Sequence, residues 1–95
     1  MADPAEPPPY DLLLAPGARR ALTDALPEAA AFAAWEFVSG PLVREPRRVG
    51  APLLAPFEGQ WRARRGEYRV RYEIDDERRT VRVLDIDHRR DVYRT

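Results

Sequence analysis

From Trp61 to Ile74 the hydrophobic residues fall on every second position. Trp61 and Ala63 alternate with Arg62 and Arg64, and Tyr68, Val70, Tyr72 and Ile74 alternate with Arg69, Arg71 and Glu73. Successive side chains of a strand point to opposite faces, so this period commits the segment to two strands, each with one apolar and one charged face. With Arg65-Gly66 as a two-residue turn, Arg64 lies opposite Glu67, Ala63 opposite Tyr68, Arg62 opposite Arg69 and Trp61 opposite Val70. Asp75-Asp76-Glu77-Arg78 then reads as a solvated turn and Thr80 to Asp87 as a further strand. Within that strand Val81 and Val83 give way to Leu84 and Ile86, a change of phase that marks a bulge.

The remaining chain is built differently. Its 95 residues are enough for one small domain with a modest core. Met1 to Pro9, with four prolines, reads as a disordered lead, and residues 10–95 as a single domain. Tyr10 to Leu14 forms a short strand. Gly17 to Leu26, with Leu22 and Leu26 at helical spacing, predicts a first helix, and Pro27 suits the first turn of a second that runs to about Gly40. Ala31, Trp35, Val38 and Leu42 make the apolar stripe of that second helix, which assigns Trp35 to packing. Val43 to Glu58, broken by Pro46, Gly50, Pro52 and Pro56, lacks a period and is an irregular connection. The expected architecture is α+β: two N-terminal helices packed on the apolar face of a small antiparallel sheet, with the arginine face left exposed.

The formal net charge of zero conceals an uneven distribution. Met1 to Gly40 carry a balance of minus four, Pro41 to Thr95 of plus four, and every one of the sixteen cations is arginine. The basic half is the candidate anion binder. There is no cysteine, which excludes disulfides, thiolate catalysis and Cys-based zinc sites. No apolar run approaches the ~18 residues that a membrane span requires. The start Met1-Ala2-Asp3-Pro4 lacks the basic-then-apolar order of a secretion signal, so a cytoplasmic location is expected.

Two segments interleave arginine with aromatics: the run from Trp61 to Tyr72, and His88-Arg89-Arg90-Asp91-Val92-Tyr93-Arg94. A guanidinium fits a phosphate through two parallel donors, and an aromatic ring offers a face on which a base can stack, so together they point to an RNA-handling surface. The register places Arg62 directly opposite Arg69, and opposed like charges destabilise a strand pair by up to roughly 1 kcal/mol. Such a placement is reasonable with an external anion, or as an ordinary solvated face balanced by Glu67, Glu73, Asp85 and Asp87. Asp85 and Asp87, two residues apart, share a face and could hold a divalent metal, but without further convergent ligands pairing with arginine is the better account. The chain has no glycine-rich phosphate loop, and a lone histidine does not make a Ser-His-Asp set.

These residues resemble the RelE toxins of the RelE/ParE superfamily of bacterial toxin-antitoxin systems. The resemblance runs from about Tyr10 to Arg94 and includes Leu26-Pro27, Glu45-Pro46-Arg47-Arg48, the segment Trp61 to Val70 and the segment His88 to Arg94. It implies two helices against an antiparallel sheet, and an endoribonuclease that cuts messenger RNA in the A site of the 70S ribosome without metal or cofactor. It further implies neutralisation by a RelB-like antitoxin, contact with operator DNA only through the toxin-antitoxin complex, and no membrane partner. Arg62 and Arg64 match the family's basic pair on the first active-site strand. Arg69 matches the arginine of its Tyr-Arg motif, and Arg89 and Tyr93 match its C-terminal arginine and tyrosine. Better-known members carry lysine where this chain has arginine. An arginine does not exchange its proton near neutral pH, so Arg62 and Arg64 are expected to act by charge alone. Glu67 and His88 are then the candidates for proton transfer, against the plainer reading of a salt-bridged glutamate and a strand-end histidine. Two other functions remain open: a ParE-like inhibitor of DNA gyrase, and a catalytically silent member that binds only its antitoxin and operator.

Overall fold

The computed structural model describes residues 8–88. Most of the proline-rich lead (residues 1–7), together with Arg89 and Tyr93, lies outside the described residues. Strand β1 (Asp11–Leu14) leads into helix α1 (Pro16–Arg20), which continues as a π-helical turn over Ala21–Ala25. Helix α2 (Glu28–Ser39) and the single turn α3 (Pro41–Arg44) follow, then strands β2 (Ala51–Pro52), β3 (Trp61–Arg65), β4 (Tyr68–Asp75) and β5 (Thr80–His88).

Among the described residues five strands form one sheet in the order β1-β5-β4-β3-β2. The class is α+β, as the change of period implies, but the sheet is mixed rather than wholly antiparallel. Strand β1 runs parallel to β5, with Leu12 beside Val81 and Leu14 beside Val83. A parallel neighbour needs a long crossover, and the helices together with the β2–β4 segment supply it.

Helix α1 ends where the next proline dictates. The ring of Pro27 disfavours helical backbone in the preceding residue, and Leu26 is extended (φ −83°, ψ 146°). Its N–H still reaches back five residues to the carbonyl of Ala21, at 3.0 Å, which widens the last turn. Helix α2 buries Ala34, Phe37 and Val38. This corrects the expected stripe, because Trp35 is 46% exposed and Phe32 64%, although Val38 and Leu42 are in the core. Residues 29–34 are apolar on every side of the helix, so periodicity alone does not choose the inward face. Packing chooses it: Phe37 meets Tyr68 edge-on at 6.4 Å, and the Tyr68 hydroxyl donates to the Ala33 carbonyl at 3.0 Å.

The β3–β4 hairpin also differs from expectation. Its two-residue loop is Gly66-Glu67, with Gly66 at φ +59°, a conformation that suits glycine at the first loop position. The pairs are therefore Arg62 with Arg71, Ala63 with Val70, Arg64 with Arg69, and Arg65 with Tyr68. The register slides by two residues, so each side chain keeps its face while its partner changes. The expected bulge is present in β5. Arg71 pairs with Asp85 and Tyr72 with Val83, which leaves Leu84 as the extra residue.

A cluster of polar groups fastens the start of β1. Arg47 donates to both oxygens of Asp76, at 2.6 and 3.1 Å, and the Tyr10 hydroxyl donates to Asp76 Oδ1 at 2.6 Å. The Arg79 guanidinium lies 4.0 Å over the Tyr10 ring and donates to the Pro8 carbonyl. The Arg47 and Tyr10 hydrogen bonds hold the Asp76 carboxyl down at about 2. The support of a depressed carboxylate is present above the ordinary carboxylate range and is lost as pH falls toward 2. Asp76→Asn is accordingly expected to speed amide hydrogen exchange at Tyr10 and Asp11, whose N–H groups bond the carbonyls of Val43 and Arg79. Unchanged protection at those two amides would show that strand pairing alone holds the segment.

Candidate functional site

The charged face of the sheet is organised in rows that cross β3, β4 and β5. One row is Arg64, Arg69 and Asp87, and the next is Arg62, Arg71 and Asp85. Farther along, Glu73 and Arg82 pair at 3.8 Å. The corrected register thus opposes two arginine pairs where the sequence reading placed one. Each opposed pair destabilises by up to roughly 1 kcal/mol, and an aspartate at the β5 end of each row offsets part of this. Those aspartates stand there because of the bulge. Val81 and Val83 face the core, and after Leu84 it is Ile86 and His88 that do, which turns Asp85 and Asp87 to the arginine side.

A shallow cleft of about 230 Å³ opens on this face, lined by Leu53, Phe57, Arg62, Arg69, Arg71 and Asp87. Its outer wall is the loop of residues 53–60, closed on itself by three backbone hydrogen bonds. Leu53 N–H donates to Gln60 at 2.9 Å, Phe57 N–H to Leu54 at 2.9 Å and Gln60 N–H to Phe57 at 3.1 Å. The Nε of Arg71 is out of contact with solvent and has no hydrogen-bond acceptor among the described residues. A buried donor left in that state is unfavourable until an acceptor reaches it. Arg62 also borders a neighbouring groove of about 370 Å³ with Arg64 and Arg48.

The floor beneath β3 is held from the core side. Tyr72 is fully buried, and its hydroxyl donates to the Pro46 carbonyl at 2.5 Å. Gly50 permits this approach, since a Cβ there would stand 2.2 Å from the Tyr72 hydroxyl and 2.8 Å from the Arg62 carbonyl. Burial pushes the Tyr72 phenol up to about 12, so it stays a neutral donor.

The structure brings together Arg62, Arg64 and Arg69 of the residues singled out in the sequence. It separates Glu67 and His88 from them. Glu67 sits in the hairpin loop, its Oε2 3.7 Å from His88 Nε2, and His88, 6% exposed, lies opposite Tyr68 on the helix side of the sheet. The earlier placement of Glu67 beside Arg64 followed from the displaced turn and is corrected with it. Arg89 and Tyr93 lie outside the described residues. Among the described residues no group of three or more His, Cys, Asp or Glu is placed to hold a metal. Sequence reasoning did not bring Arg71, Leu53 and Phe57 to this cleft. Arg71 is visible in the alternation, but its role depends on the true register, and the loop has no period to read.

Comparison with known proteins gives a consistent result. A family model described as the ParE toxin of type II toxin-antitoxin systems, parDE, matches residues 12–93. The chain is 49% identical over 86 residues to Toxin RelG of Mycobacterium tuberculosis, covering 90% of this chain and 98% of that one. It is 45% identical over 86 residues to Toxin RelE of the same organism, covering 90% and 88%. The toxin-antitoxin complex RelBE2 of M. tuberculosis contains a chain similar in structure, with a TM-score of 0.82 at 48% identity, over 85% of this chain and 99% of that one. The archaeal RelE-RelB complex of Pyrococcus horikoshii shares the fold at a TM-score of 0.60 and 24% identity, over 90% of this chain and 98% of that one.

Proposed function

We propose, since the chain belongs to the ParE toxin family of type II toxin-antitoxin systems and is a RelE-type toxin within it, that it cuts messenger RNA in the ribosomal A site. The observation that carries this reading is the double arginine row beside a cleft. A sheet that opposes Arg62 to Arg71 and Arg64 to Arg69 is best relieved by a polyanion laid across it. The reaction that suits such a surface is in-line attack by the 2'-hydroxyl upstream of the cut on its own phosphate. The attacking oxygen loses a proton, the P–O5' bond breaks, and the departing 5'-oxygen gains a proton, leaving a 2',3'-cyclic phosphate and a 5'-hydroxyl. Arg62, Arg69 and Arg71 neutralise the charge that builds on the phosphate oxygens, and Arg64 guides the strand. In this reading Arg89 and Tyr93 complete the site from the C-terminal segment. Glu67 and His88 face away from it, and Asp87 is the carboxylate that lines the cleft as proton acceptor.

The partner in this reading is a RelB-like antitoxin that silences the toxin in the cytoplasm. The relatives solved as RelBE2 and RelE-RelB complexes support it, as do the exposed Phe32 and Trp35 of α2, which give an extended partner an apolar anchor. Operator DNA is contacted only through that complex. The family model is described as ParE, which makes inhibition of DNA gyrase the competing reading. Induction in growing cells followed by primer extension on a translated message separates the two. New ends inside codons, abolished when the antitoxin is coexpressed, are expected. DNA damage with intact messages would establish the gyrase inhibitor instead, and harmless accumulation of the chain would leave only a silent binder.

A further inference from the structure

We propose that Phe57, backed by Leu53, is a stacking platform for one of the two bases that flank the scissile phosphate, an inference that rests on the ribonuclease reading above. Two large apolar side chains of the loop are open to solvent, Leu54 at 85% and Phe57 at 48%. A scattered exposed apolar residue needs no explanation. Phe57 differs because its ring lines the same cleft as Arg62, Arg69 and Arg71. Cations beside an aromatic face are the two elements that grip single-stranded nucleic acid: guanidiniums follow the backbone, and a ring takes the face of any base. Arg71 adds a third guanidinium to the lining of that cleft.

Size and rigidity point the same way. A cleft of about 230 Å³ is below the ~300–1,000 Å³ of typical enclosed small-molecule sites, so it suits part of a polymer lying across the sheet rather than a whole free ligand. The backbone that carries the ring is also held in advance. Phe57 N–H donates to Leu54 and its carbonyl accepts from Gln60, so two successive tight turns fix its backbone and little ordering remains for the moment of binding. Stacking is tolerant of base identity, so the platform orients a nucleotide more than it selects one. Phe57 is therefore a positioning residue that keeps the phosphate between the arginines.

The test is single-turnover cleavage on programmed 70S ribosomes, comparing the parent chain with Phe57→Ala, Phe57→Tyr and Arg69→Ala. Messages are intact or carry an abasic residue at one or the other nucleotide flanking the cut. Phe57→Ala is expected to lower the rate at subsaturating toxin by about ten- to a hundredfold, and Phe57→Tyr to restore it to within about threefold. At one flanking position, removing the base should slow the parent by a similar factor and barely affect Phe57→Ala, because the same stack is already lost. Cleavage by Phe57→Ala at the parental rate, or losses that multiply at both positions, overturns the platform while a defective Arg69→Ala leaves the ribonuclease reading standing. Absence of cleavage by the parent overturns both.

Discussion

Arg69→Ala is expected to lower the rate of message cleavage by about 10²- to 10³-fold, the usual effect of removing one fixed donor from a charged transition state. Arg69 stands in the row between Arg64 and Asp87 and lines the cleft with Arg62 and Arg71, so it is one of the cations a phosphate there would meet. The fold is expected to survive. Removing the side chain relieves repulsion with Arg64 and weakens attraction to Asp87, two effects of opposite sign and each below roughly 1 kcal/mol. Cleavage rate and thermal midpoint measured on the same preparation check both halves of the expectation. A parental cleavage rate would remove Arg69 from the site, and a collapsed midpoint would make it a structural cation.

Tyr72→Ala is expected to have the largest effect on stability, about 3–5 kcal/mol, the range for emptying a buried aromatic site. Tyr72 is the largest fully buried side chain, stacked on Trp61 with ring centroids 6.5 Å apart and hydrogen-bonded to Pro46. Tyr72→Phe keeps the volume but leaves the Pro46 carbonyl without its donor, for about 1–3 kcal/mol. Urea unfolding distinguishes the two, and a phenylalanine variant as stable as the parent would mean that the hydroxyl contributes nothing. The same phenol predicts an alkaline limit. A tyrosine whose folded value is about 12 against an ordinary 10 gives full support below pH 10, and that support is lost as pH rises from 10 toward 12. Tyr72→Phe should flatten that part of the stability profile.

The strands were legible because a period of two survives any register, and the bulge because Val83 and Leu84 break that period on the page. The register itself was not. It turned on whether Gly66 is the second or the first residue of the turn, and only backbone geometry decides that. The inward face of α2 was hidden by a run of alanines that mark no outside, and the parallel pairing of β1 with β5 by its distance along the chain. Part of the candidate site was readable, since the alternation puts Arg62, Arg64 and Arg69 on one face of the sheet. Its far wall was not, because residues 53–60 form a loop without a pattern. Glu67 was put beside Arg64 only through the displaced turn, and the plainer reading, with His88 at the end of a strand, is the arrangement found, with Glu67 beside it.

The single extra residue at Leu84 works as a change of reading frame in space. Upstream of it odd-numbered positions of β5 seal the core, and downstream of it even-numbered positions do. Deleting one residue from the Asp76–Arg79 connection would shorten a turn, a local change that its neighbours can absorb. Deleting Leu84 itself would remove the bulge and leave a regular strand in which Asp85 and Asp87 still face the arginines and Ile86 and His88 still face the core, whereas flattening the bulge with Leu84 retained would exchange the two sets and bury two carboxylates. A relative that lacks this one residue should therefore present the same arginine-and-aspartate surface on an unbulged strand, whereas a relative that keeps it needs the bulge to hold that surface.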